Sequence, residues 1–297
     1  MTDRQAFVAV VTCFNEDETV NYAATRAQVR RQVAAGNHIM CAGTNGDFTA
    51  LTFDEKVRLA AEVVDAAGGR AKVFINAGMP ATYETLLLAR AFEKLGVDAI
   101  AVITPFFIAC TQDGLVRHFS TVADAVSVPV YLYDIPPRTQ NHIEPATARQ
   151  LAAHGNIHGI KDSGGAQETL SAYLEVGRDC AGFEVYSGPD HLVLWALEQG
   201  AKGPISGLGN VMPEVLARIV SCYNAGDLAG AAAAQELYGG FRRDLYGLGY
   251  PPALVKRALW LMDPSVGASR QPALLPDPEQ DRAIAAVLAK YDLMAEA

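Results

Sequence analysis

Eight short β-rich runs recur along the chain, with helical stretches between them. The runs are 7–13, 38–42, 72–76, 98–104, 129–134, 157–161, 183–187 and 203–207. Segments rich in Ala, Leu, Glu and Arg lie between the first five runs, at 22–35, 54–67, 81–95 and 112–126. Strands that alternate with helices run parallel, and apolar runs without strict alternation are buried on both faces. The pattern therefore predicts a (β/α)8 barrel, since a doubly wound sheet usually has only about five or six strands.

The remaining part of the chain has a different pattern. After residue 226 the sequence is rich in alanine, with a Pro-bounded segment over 249–264 and a final helical segment near 277–294. Alanine favours helices, and proline is tolerated in the first helical turn. We therefore expect a catalytic barrel over residues 1–226 and a C-terminal helical segment over residues 227–297.

The charge balance excludes several classes of partner. The formal net charge is -9, and no dense run of Lys or Arg occurs. Nucleic acids and anionic membrane surfaces need basic patches, so neither is expected as a partner. No apolar run approaches the roughly 18 to 20 residues that span a bilayer, and the start "MTDRQAF" lacks the pattern of a signal peptide. A cytoplasmic location is the expectation.

Cysteine and histidine spacing argues against a metal site. The five cysteines are widely separated and include no CxxC pair, so neither a disulfide framework nor a zinc site is indicated. His154 and His158 are spaced by four residues, but Gly155 and Asn156 between them favour a turn. We expect neither a metal ion nor another cofactor.

Lys161 stands at the end of the otherwise apolar sixth run. Active sites of such barrels form at the carboxyl ends of the strands. A desolvated lysine has a pKa below its usual value of about 10.4, which supplies the neutral amine that attacks a carbonyl. A lysine whose amine extends to solvent is the alternative, and the strand alone favours neither. Asp162 follows directly, so alternation places it on the opposite face, where it should not neutralise Lys161.

Two further strand ends carry residues suited to the same cavity. Tyr133 ends the fifth run, and its phenol could exchange protons during imine formation, although a tyrosine in the core is the alternative. Arg138 follows two prolines that stiffen its loop, and a fixed guanidinium suits bidentate binding of a carboxylate. A surface arginine is the alternative for Arg138.

The turn "GTNGD" (43–47) contains two glycines, which allow unusual backbone angles. Successive N–H groups can then converge on a carboxylate. Thr52 and Glu55 form a capping-box pattern, which predicts that the second helix begins there and that 43–51 is a loop on the rim.

Five motifs follow one another along the chain: "GTNGDFTALTFDEK", "YLYDIPPRTQNHI", "GIKDSGG", "GPISGLGNVMPE" and "YPPALVK". In combination they resemble the pyruvate-dependent class I lyases and aldolases that include dihydrodipicolinate synthase and N-acetylneuraminate lyase. The resemblance covers essentially the whole chain. It implies a lyase that forms a Schiff base with pyruvate or another 2-oxo acid, of the 4-hydroxy-tetrahydrodipicolinate synthase type. It also implies a homo-oligomer, a tetramer or a dimer.

The resemblance also implies residue roles. Lys161 forms the imine, and Tyr133 with Thr44 relays protons. Main-chain N–H groups of Thr44 and Asn45 hold the pyruvate carboxylate, and the Ile205 carbonyl faces the site. Arg138 binds the carboxylate of the aldehyde substrate, and Gly188 completes the expected substrate-binding set.

Several positions depart from the pattern of dihydrodipicolinate synthases. Where those enzymes have "TPYY", this chain has "TPFF", so the second tyrosine, which crosses a dimer interface to complete their proton relay, is Phe107. Asn45, Asp47, Asp134 and Gln140 are the other departures. Because phenylalanine cannot pass a proton, a 2-keto-3-deoxy sugar-acid aldolase or dehydratase is an alternative to the synthase activity.

Two more hypotheses concern different kinds of site. The Gly-rich stretches "SGPDH" and "SGLGN" follow the seventh and eighth runs and could bind a phosphate, but Lys202 is the only nearby cation in sequence. The departures also permit a barrel that has lost catalysis and serves as a ligand sensor, although Lys161, Tyr133, Thr44 and Arg138 together favour an enzyme.

Overall fold

The computed structural model describes residues 3–273 and 275–294, and it shows a closed barrel of eight parallel strands in sequence order. The strands are β1 (Phe7–Ala9), β2 (His38–Cys41), β3 (Val73–Asn76), β4 (Ala99–Ile103), β5 (Val130–Asp134), β6 (Ile157–Asp162), β7 (Glu184–Ser187) and β8 (Gly203–Ser206). The barrel closes where Phe7 of β1 pairs with Ile205 of β8. The (β/α)8 prediction is confirmed.

Helices surround the barrel and continue beyond it. They are α1 (Tyr22–Ala34), α2 (Phe53–Ala67), α3 (Thr82–Glu93), α4 (Gln112–Asp124), α5 (Pro136–Thr139), α6 (Pro145–Ala152), α7 (Gln167–Asp179), α8 (Val193–Glu198), α9 (Pro213–Asn224), α10 (Leu228–Tyr246), α11 (Pro251–Met262) and α12 (Pro278–Lys290). The C-terminal stretch is helical as expected, while the boundary after residue 226 stays a prediction. In the described part of the chain, no helix is long and apolar enough to cross a membrane.

The first strand is much shorter than its apolar run of 7–13. Val10 N still donates to the Met40 carbonyl of β2 at 3.0 Å. Farther along, side chains accept from the backbone: Val11 N donates to Asn210 Oδ1 at 3.1 Å, and Cys13 N to Thr25 Oγ1 at 3.0 Å. Because a β-strand is defined by backbone hydrogen bonds to its neighbours, the apolar run continues but the strand ends. The hydrophobic pattern alone does not show where side-chain acceptors replace the backbone acceptors of a neighbouring strand.

The predicted start of α2 is confirmed. Thr52 Oγ1 accepts from Glu55 N, and the Glu55 side chain accepts from Thr52 N, which is the reciprocal capping box. At the other end, Gly68 adopts a left-handed conformation with φ of 57°, which glycine enters without steric cost. The segment before α2 is a rim loop, as expected, and it contains two short 3-10 turns.

Aromatic side chains fill one end of the barrel interior. The Phe7 ring lies 4.4 Å from that of Phe74, which stacks 4.8 Å from Tyr131. The Tyr131 hydroxyl donates to Glu184 Oε2 at 2.8 Å. This packed layer lies toward the amino ends of the strands, so open space remains at the carboxyl ends, where sites of such barrels form.

Candidate active site

Lys161 lies in β6 with its side chain inside the barrel and 5 % of its surface exposed. Its Nζ is 3.6 Å from Met40 Sδ and 4.0 Å from the centre of the Tyr133 ring. No carboxylate of residues 3–273 or 275–294 lies within ion-pair distance of this amine. Burial excludes the alternative of a lysine that extends into solvent. The contacts of this amine are a sulfur and an aromatic face, and neither supplies the full negative charge that would neutralise an ammonium group.

Asp162 points away from Lys161, as strand alternation predicts. Its Oδ1 accepts from Gly164 N at 2.8 Å, while Oδ2 is buried without a hydrogen-bond partner in the described structure. Burial raises the pKa of the Asp162 carboxyl to about 6, with nearby Asp134 acting in the same direction. The neighbour in sequence therefore does not neutralise Lys161.

A hydroxyl pair lies beside the amine. Tyr133 is the register partner of Lys161 across β5 and β6, and only 1 % of its surface is exposed. Its hydroxyl lies 3.0 Å from Thr44 Oγ1, and either oxygen can donate the hydrogen. The two hydroxyls therefore form a hydrogen-bonded pair that links the tyrosine beside Lys161 to the rim loop.

The loop that carries Thr44 leaves backbone donors free. Thr44 starts a 3-10 turn in which the N–H of Gly46 and that of Asp47 bond within the loop. The N–H groups of Thr44 and Asn45 have no acceptor among the described residues. Two adjacent free N–H groups on the rim of a cavity suit a carboxylate.

The same loop is held from the rest of the molecule through Asp47. This residue has a left-handed backbone, with φ of 53°. Its Oδ2 is 3.3 Å from Lys256 Nζ and accepts from Ser269 Oγ at 2.8 Å. Lys256 also donates to the Thr12 carbonyl, and Thr12 Oγ1 donates to the Gly46 carbonyl at 2.7 Å. The position of the free N–H groups thus depends on residues far away in sequence.

Arg138 stands at the entrance of the site, in the short helix α5. Its guanidinium donates to the Tyr250 hydroxyl at 2.6 Å and lies 4.6 Å from the centre of that ring. Proline at both preceding positions fixes the start of α5. The expected fixed guanidinium is present, although Tyr250 and not the prolines alone holds it.

All the sequence-predicted site residues line one cavity of about 240 Å³. They are Thr44, Asn45, Tyr133, Arg138, Lys161, Gly188 and Ile205. Gly188 is required by close packing, because a Cβ there would overlap Ser163 Oγ. A larger cavity of about 620 Å³ adjoins it, and the two share Thr44 and Arg138 in their walls. The site therefore has an inner part at Lys161 and an outer part beyond Arg138.

The structure adds cavity residues that were not named as site residues from the sequence. These are Ser163, Asp190, His191, Arg242 and Tyr246. Asp190 and His191 belong to the "SGPDH" stretch, whose glycine pattern suggests only a phosphate loop. Arg242 and Tyr246 come from α10, where nothing in the sequence distinguishes an arginine on the cavity side from one in solvent.

The two Gly-rich stretches do not present a phosphate cradle. Gly188 N donates to the Asp162 carbonyl at 2.7 Å, and Gly209 N to Ser206 Oγ at 2.9 Å. Lys202 is 3.3 Å from Glu184, at the opposite end of the strands. Backbone donors used within the protein cannot also bind an anion, which argues against the phosphate hypothesis. Among the described residues, no group of three or more His, Cys, Asp or Glu is arranged to hold a metal ion.

Imine chemistry requires an amine that a substrate carbonyl can reach, a hydroxyl beside it that exchanges protons, and a place for the substrate carboxylate. Lys161, Tyr133 and the loop at Thr44 provide this arrangement in a barrel. Fold and site together define the class of lysine-imine lyases and aldolases.

Comparison with known proteins gives the family. The model of the dihydrodipicolinate synthetase family matches residues 3–291. A 4-hydroxy-tetrahydrodipicolinate synthase of Heliobacterium modesticaldum is 35% identical over 96% of this chain and 94% of its own. One from Acidiphilium cryptum is 39% identical over 78% of this chain and 79% of its own. A prophage protein of the dihydrodipicolinic acid synthase family from E. coli K12, solved in complex with pyruvate, has a TM-score of 0.93 and 28% identity, covering 98% of this chain and 99% of that one.

The chain belongs to the dihydrodipicolinate synthetase family and is a lyase of the lysine Schiff-base type. The resemblance inferred from the motifs is confirmed. The hypothesis of a barrel that has lost catalysis finds no support in these comparisons.

Proposed function

We propose that this lyase forms an imine between Lys161 and pyruvate and condenses the resulting enamine with an aldehyde, as a 4-hydroxy-tetrahydrodipicolinate synthase does. The observation that carries the proposal is the buried Lys161 amine, 4.0 Å from the Tyr133 ring and without a carboxylate partner in the described structure. Relatives over most of the chain have this name, and a structural neighbour was solved with pyruvate.

The first step forms the imine. The Lys161 amine attacks the pyruvate C2 carbonyl and gives up two protons, while the carbonyl oxygen takes up two protons and leaves as water. Tyr133 supplies a proton and recovers one through Thr44, whose hydroxyl is 3.0 Å away. The free N–H groups of Thr44 and Asn45 hold the pyruvate carboxylate and so place C2 beside the amine.

The second step makes the carbon–carbon bond. Loss of a proton from the pyruvate methyl group gives an enamine, which attacks the aldehyde carbon, while the aldehyde oxygen takes up a proton. Water then adds to the imine and releases the product and Lys161. Arg138 binds the acid group of the aldehyde at the entrance, and the Ile205 carbonyl and Gly188 line the wall where the chain of the ligand passes.

A 2-keto-3-deoxy sugar-acid aldolase or dehydratase is the second candidate, and Phe107 favours it. This residue is 88 % exposed with φ of 76°, and it has no hydroxyl group. The proton path on the described residues therefore consists of Tyr133 and Thr44. Imine formation with Lys161 is common to both candidates, so they differ in the second reactant.

We propose that the protein is a cytoplasmic homo-oligomer, a tetramer or a dimer. The support for assembly is an exposed apolar pair, Phe107 and Ile108, with 88 % and 66 % of their surfaces accessible. Isolated apolar residues are common on surfaces, whereas adjacent ones of this size favour an interface. Light scattering of the purified chain tests this assignment, and a monomer at micromolar concentration would contradict it.

Borohydride reduction tests the proposed chemistry. Incubation with pyruvate and borohydride should add one reduced pyruvate to the intact protein. Turnover is then measured with aspartate semialdehyde and, separately, with 2-keto-3-deoxy sugar acids. Consumption of pyruvate with the semialdehyde supports the first candidate, and release of pyruvate from a sugar acid supports the second. Absence of any adduct would contradict both.

A further inference from the structure

A second arginine faces the inner cavity, and the proposed chemistry does not use it. Arg242 projects from α10 into the wall that also contains His191 and Lys161. Its Nε is buried and has no hydrogen-bond partner in the described structure. The guanidinium lies 5.2 Å from the centre of the Tyr246 ring. An arginine has five N–H donors in a planar fork, so this one presents unused donors at the cavity.

The nearest acid does not account for Arg242. The Asp190 carboxylate accepts from Ser206 Oγ at 2.5 Å and from Leu208 N at 3.4 Å, and the Tyr246 hydroxyl donates to its Oδ2 at 3.3 Å. It forms no ion pair with Arg242 within the described residues. Asp190 therefore fixes the loop after β7 and the end of α10, while the guanidinium remains available to a ligand.

The second neighbour adds no negative charge. Burial, and then the nearby Arg242 guanidinium, lower the pKa of His191, which favours its neutral form. The wall around α10 and β7 thus presents one cation and one imidazole to an anionic ligand group, while the Asp190 carboxylate in the same wall already accepts three hydrogen bonds within the protein. Charge-assisted hydrogen bonds from arginine to an oxyanion are among the strongest available to such a group.

The number of donors favours a carboxylate over a phosphate group. A phosphate dianion is usually held by several backbone N–H groups together with a cation. Here Gly188 N, Leu208 N and Gly209 N all donate within the protein. One guanidinium alone matches the geometry of a carboxylate.

We propose that Arg242 binds the distal carboxylate of a 2-oxo acid held on Lys161, a different acid group from that of the aldehyde at Arg138, so that the inner site prefers 2-oxo acids with a second carboxylate. The inference rests on the proposed function, because it needs Lys161 to hold the other end. Arg242 and Arg138 then have different places: Arg138 lies where the two cavities meet, and Arg242 lies on the inner wall.

Matched pairs of 2-oxo acids test the inference without turnover. Trapped adduct is measured against concentration for 2-oxoglutarate and 2-oxopentanoate, which have equal length but differ in the distal carboxylate. The pair 2-oxoadipate and 2-oxohexanoate covers a ligand one carbon longer. The unaltered protein should be half-saturated by the dicarboxylic member of at least one pair at a concentration about tenfold lower, as expected for a charge-assisted hydrogen bond.

Four variants identify the residue responsible. Arg242→Gln should bring the ratio within a pair close to one, and Arg242→Lys should restore part of it. Arg243→Gln removes the same charge from the next, exposed position of α10 and should retain the full ratio. A ratio that survives Arg242→Gln and disappears in Arg138→Gln would overturn the proposal.

Competition separates the two kinds of anion. Succinate should compete with 2-oxoglutarate more strongly than inorganic phosphate does, and the opposite order would overturn the choice of a carboxylate. A pyruvate adduct without preference in either pair contradicts only this inference. Absence of the pyruvate adduct itself contradicts the proposed function.

Discussion

Two lysines are buried near the carboxyl ends of the strands, and their surroundings differ. Lys161 and Lys256 are 5 % and 3 % exposed. Lys256 donates to the Thr12 carbonyl and forms an ion pair with Asp47, whereas Lys161 contacts a sulfur and an aromatic face. Burial lowers the pKa of Lys256, and Asp47 opposes that shift. Burial alone therefore does not identify a nucleophile: what distinguishes Lys161 is its place in the cavity wall without a carboxylate partner among the described residues.

The largest expected effect separates Lys161 by function from Lys56, a third buried lysine. Lys161→Ala should abolish adduct formation and lower turnover by on the order of a thousandfold or more, since no other residue replaces a covalent nucleophile. Lys56→Ala is the matched control, because Lys56 is also 3 % exposed but contacts Met79 and lies outside the inner cavity. Steady-state rates check this prediction. Full turnover by Lys161→Ala would contradict the assignment.

The hydroxyl beside Lys161 should matter next. Tyr133→Phe removes the proton donor and should lower kcat by roughly a hundredfold or more, the range typical of general acid–base catalysis. Tyr131→Phe makes the same change in the same strand, within the packed layer of the barrel, and should leave kcat within a few-fold. Equal losses in the two variants would mean that the effect of Tyr133 is structural.

Loss of the Lys256 ammonium should act through the loop. Lys256→Met leaves Asp47 without its ion pair and should lower the free energy of unfolding by about 2 to 3 kcal/mol, less than for a fully buried pair because Asp47 is partly exposed. The pyruvate concentration for half-maximal adduct should rise, while the adduct still forms. Urea denaturation and trapping measure the two effects.

A second ion pair provides the control for Lys256. Lys202→Met breaks the pair with Glu184 at the other end of the barrel, and it should leave the pyruvate concentration unchanged. If both variants weakened pyruvate binding equally, the loop would not be the route by which Lys256 acts.

The smallest effect concerns the acid next to Lys161. The folded protein holds the Asp162 proton more tightly than the unfolded chain does, because burial raises its pKa from 3.8 to about 6. Ionisation between about pH 4 and pH 6 therefore costs stability, and the cost is fully present above pH 6. Asp162→Asn removes this cost.

The comparison is made between pH 4.5 and pH 7. Over that interval the free energy of unfolding of Asp162→Asn should gain about 1 to 2 kcal/mol relative to the unaltered protein. Urea titrations at the two values measure the difference. If the difference in the free energy of unfolding between the two proteins were the same at both pH values, Asp162 would titrate alike in the folded and unfolded states.

Features that depend on local pattern and strand alternation are predictable from the sequence. The eight runs, the capping box at Thr52 and the opposite faces of Lys161 and Asp162 follow from periodicities of the chain. Tyr133 and Lys161 meet because equivalent positions of adjacent barrel strands end at one rim.

Features that depend on pairing between distant segments are not predictable in the same way. In the sequence, Asp47 stands out only because it departs from the pattern of dihydrodipicolinate synthases. Its partner Lys256 lies 209 positions away. No sequence pattern around Arg242 identifies it, because its role depends on which face of α10 meets the loop after β7. The short β1 likewise results from the side chains of Thr25 and Asn210, which bind the backbone that follows it.

Peptide mapping of the reduced pyruvate adduct tests the central comparison most directly. The protein is trapped with borohydride and pyruvate, digested, and each lysine-containing peptide is analysed by mass spectrometry. We predict that the adduct lies on Lys161, while Lys256 and Lys56, which are equally buried, stay unmodified. An adduct on Lys256, or a modified protein whose Lys161 is free, would contradict the account.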